Sequence, residues 1–142
     1  MTGSEKVFFD TAPFIYLVEN NPKYYLPVAE YMADLISEKG GLLSTSVLSI
    51  AEFLVKPARE KDQKLQNDFE TFLHELNFQI SEINYNIAVL SSKLRSSYSF
   101  LKGIDSLQLA TALDSNCSAF LTNDKQLKSI KEIQIILIED LI

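Results

Sequence analysis

The chain has 142 residues, 46% of them hydrophobic, with a single cysteine, Cys117, and a single histidine, His74. That is the size of one domain with enough apolar material for a core, and it excludes an internal disulfide, a cysteine-rich zinc site and a multi-histidine metal site. Thirteen Lys plus Arg against nineteen Asp plus Glu give a net charge of −6, which excludes a generically basic nucleic-acid coat but allows acids clustered about cations with bases on a rim.

The first six residues are polar, and Val7, Phe8 and Phe9 are too few for a secretory h-region. No apolar run approaches membrane-spanning length. A cytoplasmic protein with no membrane segment is the expectation. The same Val7-Phe8-Phe9 run reads as a buried strand. Asp10-Thr11-Ala12-Pro13 then looks like a helix start, with a capping residue and Pro in the first turn.

Residues 26–39 carry Val28, Met32, Leu35 and Ile36 at helical spacing, and Gly40-Gly41 stops that helix. Leu42-Leu43-Ser44-Thr45 is a second short strand. Ser46 opens a helix expected to continue to Glu60. Residues 61–75 repeat a helical pattern, and Phe78-Gln79-Ile80 reads as a third strand. Helices follow over 85–98 and 105–115. Residues 119–122 form a fourth strand, a short helix intervenes, and 133–138 form a fifth. No linker, repeat or low-complexity stretch divides the chain, so one domain over 1–142 is expected. Short apolar strands separated by helices predict an α/β fold with a parallel sheet and helices on both faces. Such sheets bind ligands beyond the carboxyl ends of their strands, where strand order reverses. Asp10 follows the first strand directly, and Asp124 follows the fourth across Thr122-Asn123.

Four acids are candidates, and each has an ordinary structural explanation. Asp10 can cap the helix after it. Glu52, in Ser49-Ile50-Ala51-Glu52-Phe53-Leu54-Val55, has Leu48 and Val55 as helical neighbours. That spacing favours a carboxylate on an apolar stripe, in need of a cation or donor, over a solvent-facing one. Asp105 with Gln108 three residues on resembles a capping box. Asp124 after a strand is an ordinary turn or cap residue. Together the four carry more weight than singly. Clustered carboxylates raise one another's pKa unless a cation neutralises them, and oxygen-only donors favour Mg²⁺ or Mn²⁺ over zinc.

These segments also resemble, in order and over nearly the whole chain, the PIN-domain nucleases, especially the VapC-type ribonuclease toxins. Val7-Phe8-Phe9-Asp10-Thr11 is similar to the opening strand and first acid, and Ser46-Val47-Leu48-Ser49-Ile50-Ala51-Glu52 to the helix with the second. Residues Lys102-Gly103-Ile104-Asp105-Ser106-Leu107-Gln108-Leu109-Ala110 are similar to the segment with the third, and Thr122-Asn123-Asp124 to the closing motif. Gln108 stands where many relatives carry His.

The resemblance implies a three-layer α/β/α sandwich with a five-stranded parallel sheet, its first and fourth strands adjacent. It implies a metal-dependent endoribonuclease in which Asp10, Asp105 and Asp124 hold Mg²⁺ or Mn²⁺ with Glu52 assisting, leaving a 5′-phosphate and a 3′-hydroxyl. It also implies an RNA substrate, a homodimer and an antitoxin partner. Thr122 and Asn123 would aim Asp124, and Thr11 would hydrogen-bond within the site. Lys102, Arg95, Lys125, Lys56, Arg59 and Lys61 are candidate cations for RNA, against the ordinary reading, favoured for any single one, of a solvated helix surface. Tyr16, Tyr24, Tyr25 and Tyr98 are candidate stacking residues, against the ordinary reading of aromatics as core. His74 is expected to be exposed and Cys117 buried.

Three rivals are weighed. A phosphate-accepting receiver would need a second acid beside Asp10 and a Lys after a late strand, but Phe9 and Ile138-Glu139 stand there. A phosphatase with an Asp nucleophile would want Asp where Ala12 stands. A catalytically silent protein- or RNA-binding module is disfavoured by retention of all four acids.

Overall fold

The computed structural model describes residues 5–142; residues 1–4, part of the polar opening considered above, lie outside them. The chain begins with β1 (Lys6–Phe9), α1 (Thr11–Val18), α2 (Tyr25–Ser37) and β2 (Leu42–Ser46). Next come α3 (Val47–Phe53), α4 (Val55–Glu60), α5 (Gln63–Glu75) and β3 (Gln79–Ser81). It finishes with α6 (Tyr85–Ser97), α7 (Gly103–Asp114), β4 (Ala119–Thr122) and β5 (Gln134–Leu137), with 3₁₀ turns at Lys125–Ser129 and Ile138–Leu141. The strands pair in the order β3-β2-β1-β4-β5, all parallel. The expected five-stranded parallel sheet, with its first and fourth strands adjacent, is present.

Side chains alternate across a strand, and β1 and β4 use that alternation to feed two cores. Val7 and Phe9 face one layer with Ala119 and Leu121, against α1, α2, α3 and α5. Phe8 and Phe120 face the other, among residues of α6 and α7. The two rings stack with centroids 5.2 Å apart and planes 5° from parallel. In the first layer Phe14 is the hub. Its ring lies 5.1 Å from Phe78, 5.6 Å from Phe69 and 5.9 Å from Phe9.

Several boundaries differ from the pattern reading, and the largest difference has a local reason. The expected helix from Ser46 to Glu60 is two helices joined at Leu54. Pro57 is the cause: it has no N–H to donate to the Phe53 carbonyl and its ring clashes there. Restarting the helix at Val55 puts Pro57 in a first turn, where no donor is needed. Lys61, expected within the next helix, instead ends α4 in the left-handed region at φ 53°, and Asp62 caps α5 by accepting from the Leu65 N–H at 3.0 Å. Helix α7 starts at Gly103 and not at Asp105. At the end of α2, Gly40 takes φ 58°. The Gly41 N–H donates to the Leu35 carbonyl at 2.7 Å, in a space where a Cβ would lie 2.4 Å from Leu35 Cδ1.

Phe14→Ala is expected to cost about 3–5 kcal/mol, because it empties the centre of a ring cluster that cannot collapse. Tyr85→Ala, at an 82% exposed position, should stay within about 0.5 kcal/mol of wild type. Urea unfolding of both variants checks the contrast.

Candidate active site

The sheet reverses direction of growth between β1 and β4, and both chains leave the sheet there. Asp10 sits at the end of β1, where its N–H donates to the Leu121 carbonyl of β4 at 3.0 Å. It does cap α1: its Oδ1 accepts from the Thr11 N–H at 2.8 Å. Its other oxygen, Oδ2, accepts from the Thr122 hydroxyl at 2.8 Å. Thr122 Oγ1 in turn accepts from the Asp124 N–H at 3.1 Å, and Asp124 Oδ1 accepts from the Gln126 N–H at 3.0 Å. The fully buried Thr122 hydroxyl therefore links the first acid to the turn that carries the last. Asn123 packs its amide against Tyr16, donating to that hydroxyl at 3.0 Å, while its Oδ1 is buried with no partner among the described residues.

Glu52 is exposed at the outer end of α3, contrary to the apolar-stripe reading. The break at Leu54 ends α3 almost immediately after it, so the stripe inferred from Val55 belongs to a different helix. One Glu52 oxygen accepts from the Thr11 hydroxyl at 2.5 Å, turning the carboxylate toward the start of α1. Asp105 is half-buried in the first turn of α7. The capping-box reading of Asp105 and Gln108 fails: Lys102 is the cap residue, with no side-chain cap bond, and Gln108 points elsewhere. Its side chain is buried between helices. The Ser46 hydroxyl donates to Gln108 Oε1, and Gln108 Nε2 donates to Ser49 Oγ at 2.7 Å. Sequence reading missed this network, although Ser46, Ser49 and Glu52 recur every third residue, as do Asp105 and Gln108.

The acids sense one another. The Asp10 pKa is pushed up to about 6, chiefly by burial, with Glu52 and Asp105 adding to the rise and the bonds from Thr11 and Thr122 opposing it. Part of the residue reaches the surface, yet its carboxyl is set deep among protein atoms, and that setting governs its titration. Burial, then Asp124 and Glu52, also raise Asp105, with the Lys102 charge opposing. Each carboxyl is thus held at a cost that a nearby cation would relieve. The donors are all oxygen, which suits a hard divalent ion. Among the described residues no three His, Cys, Asp or Glu side chains converge into a ready-made metal cage. That is compatible with Mg²⁺, which keeps several waters and needs only one or two carboxylates.

The rim is less basic than the sequence allows. Lys56 pairs with Glu19, Lys125 with Glu139 at 3.2 Å, and Arg59 with Glu60 at 3.9 Å. Lys102, Arg95 and Lys61 have no ion-pair partner among the described residues. Of the candidate tyrosines, Tyr16 and Tyr24 stack on each other at 4.6 Å, and the Tyr98 hydroxyl donates to Glu132 at 2.6 Å. Only Tyr25 of the four is exposed, at 40%. His74 is exposed and Cys117 buried. A separate apolar cavity of about 520 Å³, lined by Ile50, Phe69, Leu73, His74, Phe78 and Ile80 among others, holds none of the four acids.

Comparison with known proteins follows the same lines. The family model of the PIN domain matches residues 7–133. No curated protein matches by sequence. Among solved structures, the VapBC2 complex of Rickettsia felis bound to a promoter DNA fragment superposes with a TM-score of 0.74 at 18% identity, covering 93% of this chain and 98% of that one. A toxin–antitoxin complex from Klebsiella pneumoniae gives 0.71 at 22% identity, covering 93% and 97%. VapC20 of Mycobacterium tuberculosis, described as a sarcin-ricin loop cleaving toxin, gives 0.68 at 11% identity, covering 90% and 98%. None of the helices in the described residues is long and apolar enough to cross a membrane. A match spanning β1 to the edge of β5, on a sheet of the same architecture, places the chain in the PIN domain family.

Proposed function

We propose that residues 1–142 act as one unit, a divalent-metal-dependent endoribonuclease that serves as the toxin of a toxin–antitoxin pair. The observation that carries the proposal is Asp10: a deeply set carboxyl at the strand-order reversal, fixed by two hydrogen bonds and crowded by like charges. Family membership and the toxin–antitoxin complexes among the structural neighbours support the toxin reading. A neighbour described as cleaving the sarcin-ricin loop supports RNA as substrate. By the same analogy the partners are an antitoxin and a second copy of the chain.

Asp10, Asp105 and Asp124 would hold Mg²⁺ or Mn²⁺ between them, in part through water, with Glu52 assisting. Such an ion, when bound, would supply Lewis-acid stabilisation of charge on the scissile phosphate and a water of lowered pKa. Thr122 holds Asp10 Oδ2 and the Asp124 backbone in fixed relation, so two of the acids approach the phosphate as one unit. Thr11 orients Glu52. Lys102, whose charge is felt by Asp105 and which makes no ion pair within 4 Å among the described residues, is the cation proposed to receive the RNA backbone.

Wild type incubated with structured RNAs and Mn²⁺ should cleave them, EDTA should abolish cleavage, and Asp10→Asn should lower the rate by at least about a hundredfold, the scale lost with a single charge-stabilising group. Metal-dependent cleavage that persists in Asp10→Asn would remove Asp10 from the chemistry. If wild type cleaves nothing and calorimetry shows no Mn²⁺ binding, the catalytic reading fails.

Asp10 also sets a pH dependence. Its folded pKa, about 6, lies above the ordinary 3.8. The folded state therefore holds a proton that the unfolded chain releases. That contribution to stability is complete below about pH 4 and is lost as pH rises through 6. In EDTA, the melting temperature of wild type should fall between pH 5 and pH 7 relative to that of Asp10→Asn, and Mn²⁺ at pH 7 should raise the wild-type value more. Parallel pH profiles for the two proteins would contradict the assignment.

Lys102→Ala should weaken RNA binding and reduce the slope of log affinity against log salt by about 1. Filter binding at several salt concentrations, under metal-free conditions, measures it.

A further inference from the structure

Gln108 lies on α7 one turn beyond Asp105, and Ser49 lies on α3 one turn before Glu52. Residues three apart share a helix face, so a bond between Gln108 and Ser49 fixes the neighbouring pair, Asp105 and Glu52, across the same gap. Ser46 adds a second tie. Its hydroxyl accepts from the Leu48 N–H at 3.0 Å, capping α3, and donates to Gln108 Oε1. All three side chains are buried: Gln108 is 1% exposed, and Ser46 and Ser49 are fully enclosed. Helix α3 is only seven residues long and is cut off by the break at Leu54. Its inner side is anchored by Phe53, stacked on Phe69 at 3.9 Å, and its end by the Thr11–Glu52 bond; Ser46 and Ser49 on one amide add the ties toward α7.

We infer that Gln108 is a positioning residue: its amide sets the register of α3 against α7 and thereby the separation of Glu52 from Asp105. The inference rests on the divalent-cation reading above. One neutral side chain performs the task because a carboxamide both accepts and donates, and the two serines present one donor and one acceptor to it. A leucine of similar volume would fill the space and leave α3 free to shift relative to α7. A neutral histidine, with one ring nitrogen accepting and the other donating, could restore both bonds.

The test is calorimetric binding of Mn²⁺ alone to wild type, Gln108→Leu and Gln108→His, with urea unfolding of each protein alongside. Gln108→Leu should weaken Mn²⁺ binding by at least about tenfold, the scale found for groups that orient metal ligands, and Gln108→His should recover most of it. A purely structural role would lower the urea midpoint and leave Mn²⁺ affinity unchanged, which would overturn the inference. If Gln108→Leu does not fold, Ser49→Ala, which removes a hydroxyl without altering core volume, carries the same expectation and the same contrary result. Absence of Mn²⁺ binding by wild type would instead sink the cation reading, and is distinguishable because it precedes any comparison of variants.

Discussion

The pairing of β1 with β4 is the constraint on which the site depends. It joins segments 112 residues apart, aligning Phe8 with Phe120 and Phe9 with Leu121. Below the site, the stacked Phe8 and Phe120 rings fix that register from one face of the sheet. A one-residue slip would turn every β4 side chain to the wrong layer. With the register set, Asp10 and Thr122 emerge side by side, and their hydrogen bond follows. The crevice beyond them exists because β2 and β4 grow outward from β1 in opposite directions, so the connections that leave β1 and β4 diverge. Hydrophobic packing thus determines where the charges stand.

The charges themselves oppose folding. Burial raises the Asp10 and Asp105 pKa values, and the neighbouring acids raise them further. The groups that orient Asp10 and Glu52 are hydroxyls and a backbone amide: Thr122 and the Thr11 N–H on Asp10, and the Thr11 hydroxyl on Glu52. A Lys or Arg in their place would orient a carboxylate equally well and would hold it more tightly, because a charged hydrogen bond is roughly twice as strong. It would also cancel the negative potential that makes the crevice attractive to a cation. Neutral donors fix geometry and leave charge uncompensated. The chain keeps several of its lysines paired with other acids, as in Lys56 with Glu19 and Lys125 with Glu139, and Lys102 alone offsets Asp105 directly.

Element order and the layer architecture were legible in the sequence because most strands are short apolar runs and each helix carries its own period, whereas the adjacency of the first and fourth strands came only from the family resemblance. Asp10 and Asp124 were legible because both follow such runs. Glu52 was not. Its apolar-stripe environment was inferred by continuing one helix through Pro57, and the missing N–H of that proline breaks the continuation. The capping-box alternative for Asp105 arose because Gln108 stands at that spacing. Spacing cannot tell a glutamine that folds back on its own helix from one that reaches another helix, since only tertiary packing brings Ser46 and Ser49 within its range. Lys125 and Lys56 looked available for RNA because their partners, Glu139 and Glu19, are distant in sequence.

The two hydroxyl systems divide the site by distance from the sheet. Thr122 binds two acids to strands whose positions are already fixed by the sheet, so its bond adds precision to groups that have little freedom. Asp105 and Glu52 stand on helices, α7 packed chiefly on α6 and α3 on α1, and helices slide more readily than paired strands do. A site assembled from both kinds of element needs its tightest extra tie where the scaffold is loosest. That is where the buried carboxamide lies. It spans α3 and α7 with one donor and one acceptor, both satisfied, in a core layer where a half-satisfied polar group would be costly. A side chain that merely filled space at position 108 would not need to reach both the end of β2 and the seven-residue helix that follows it.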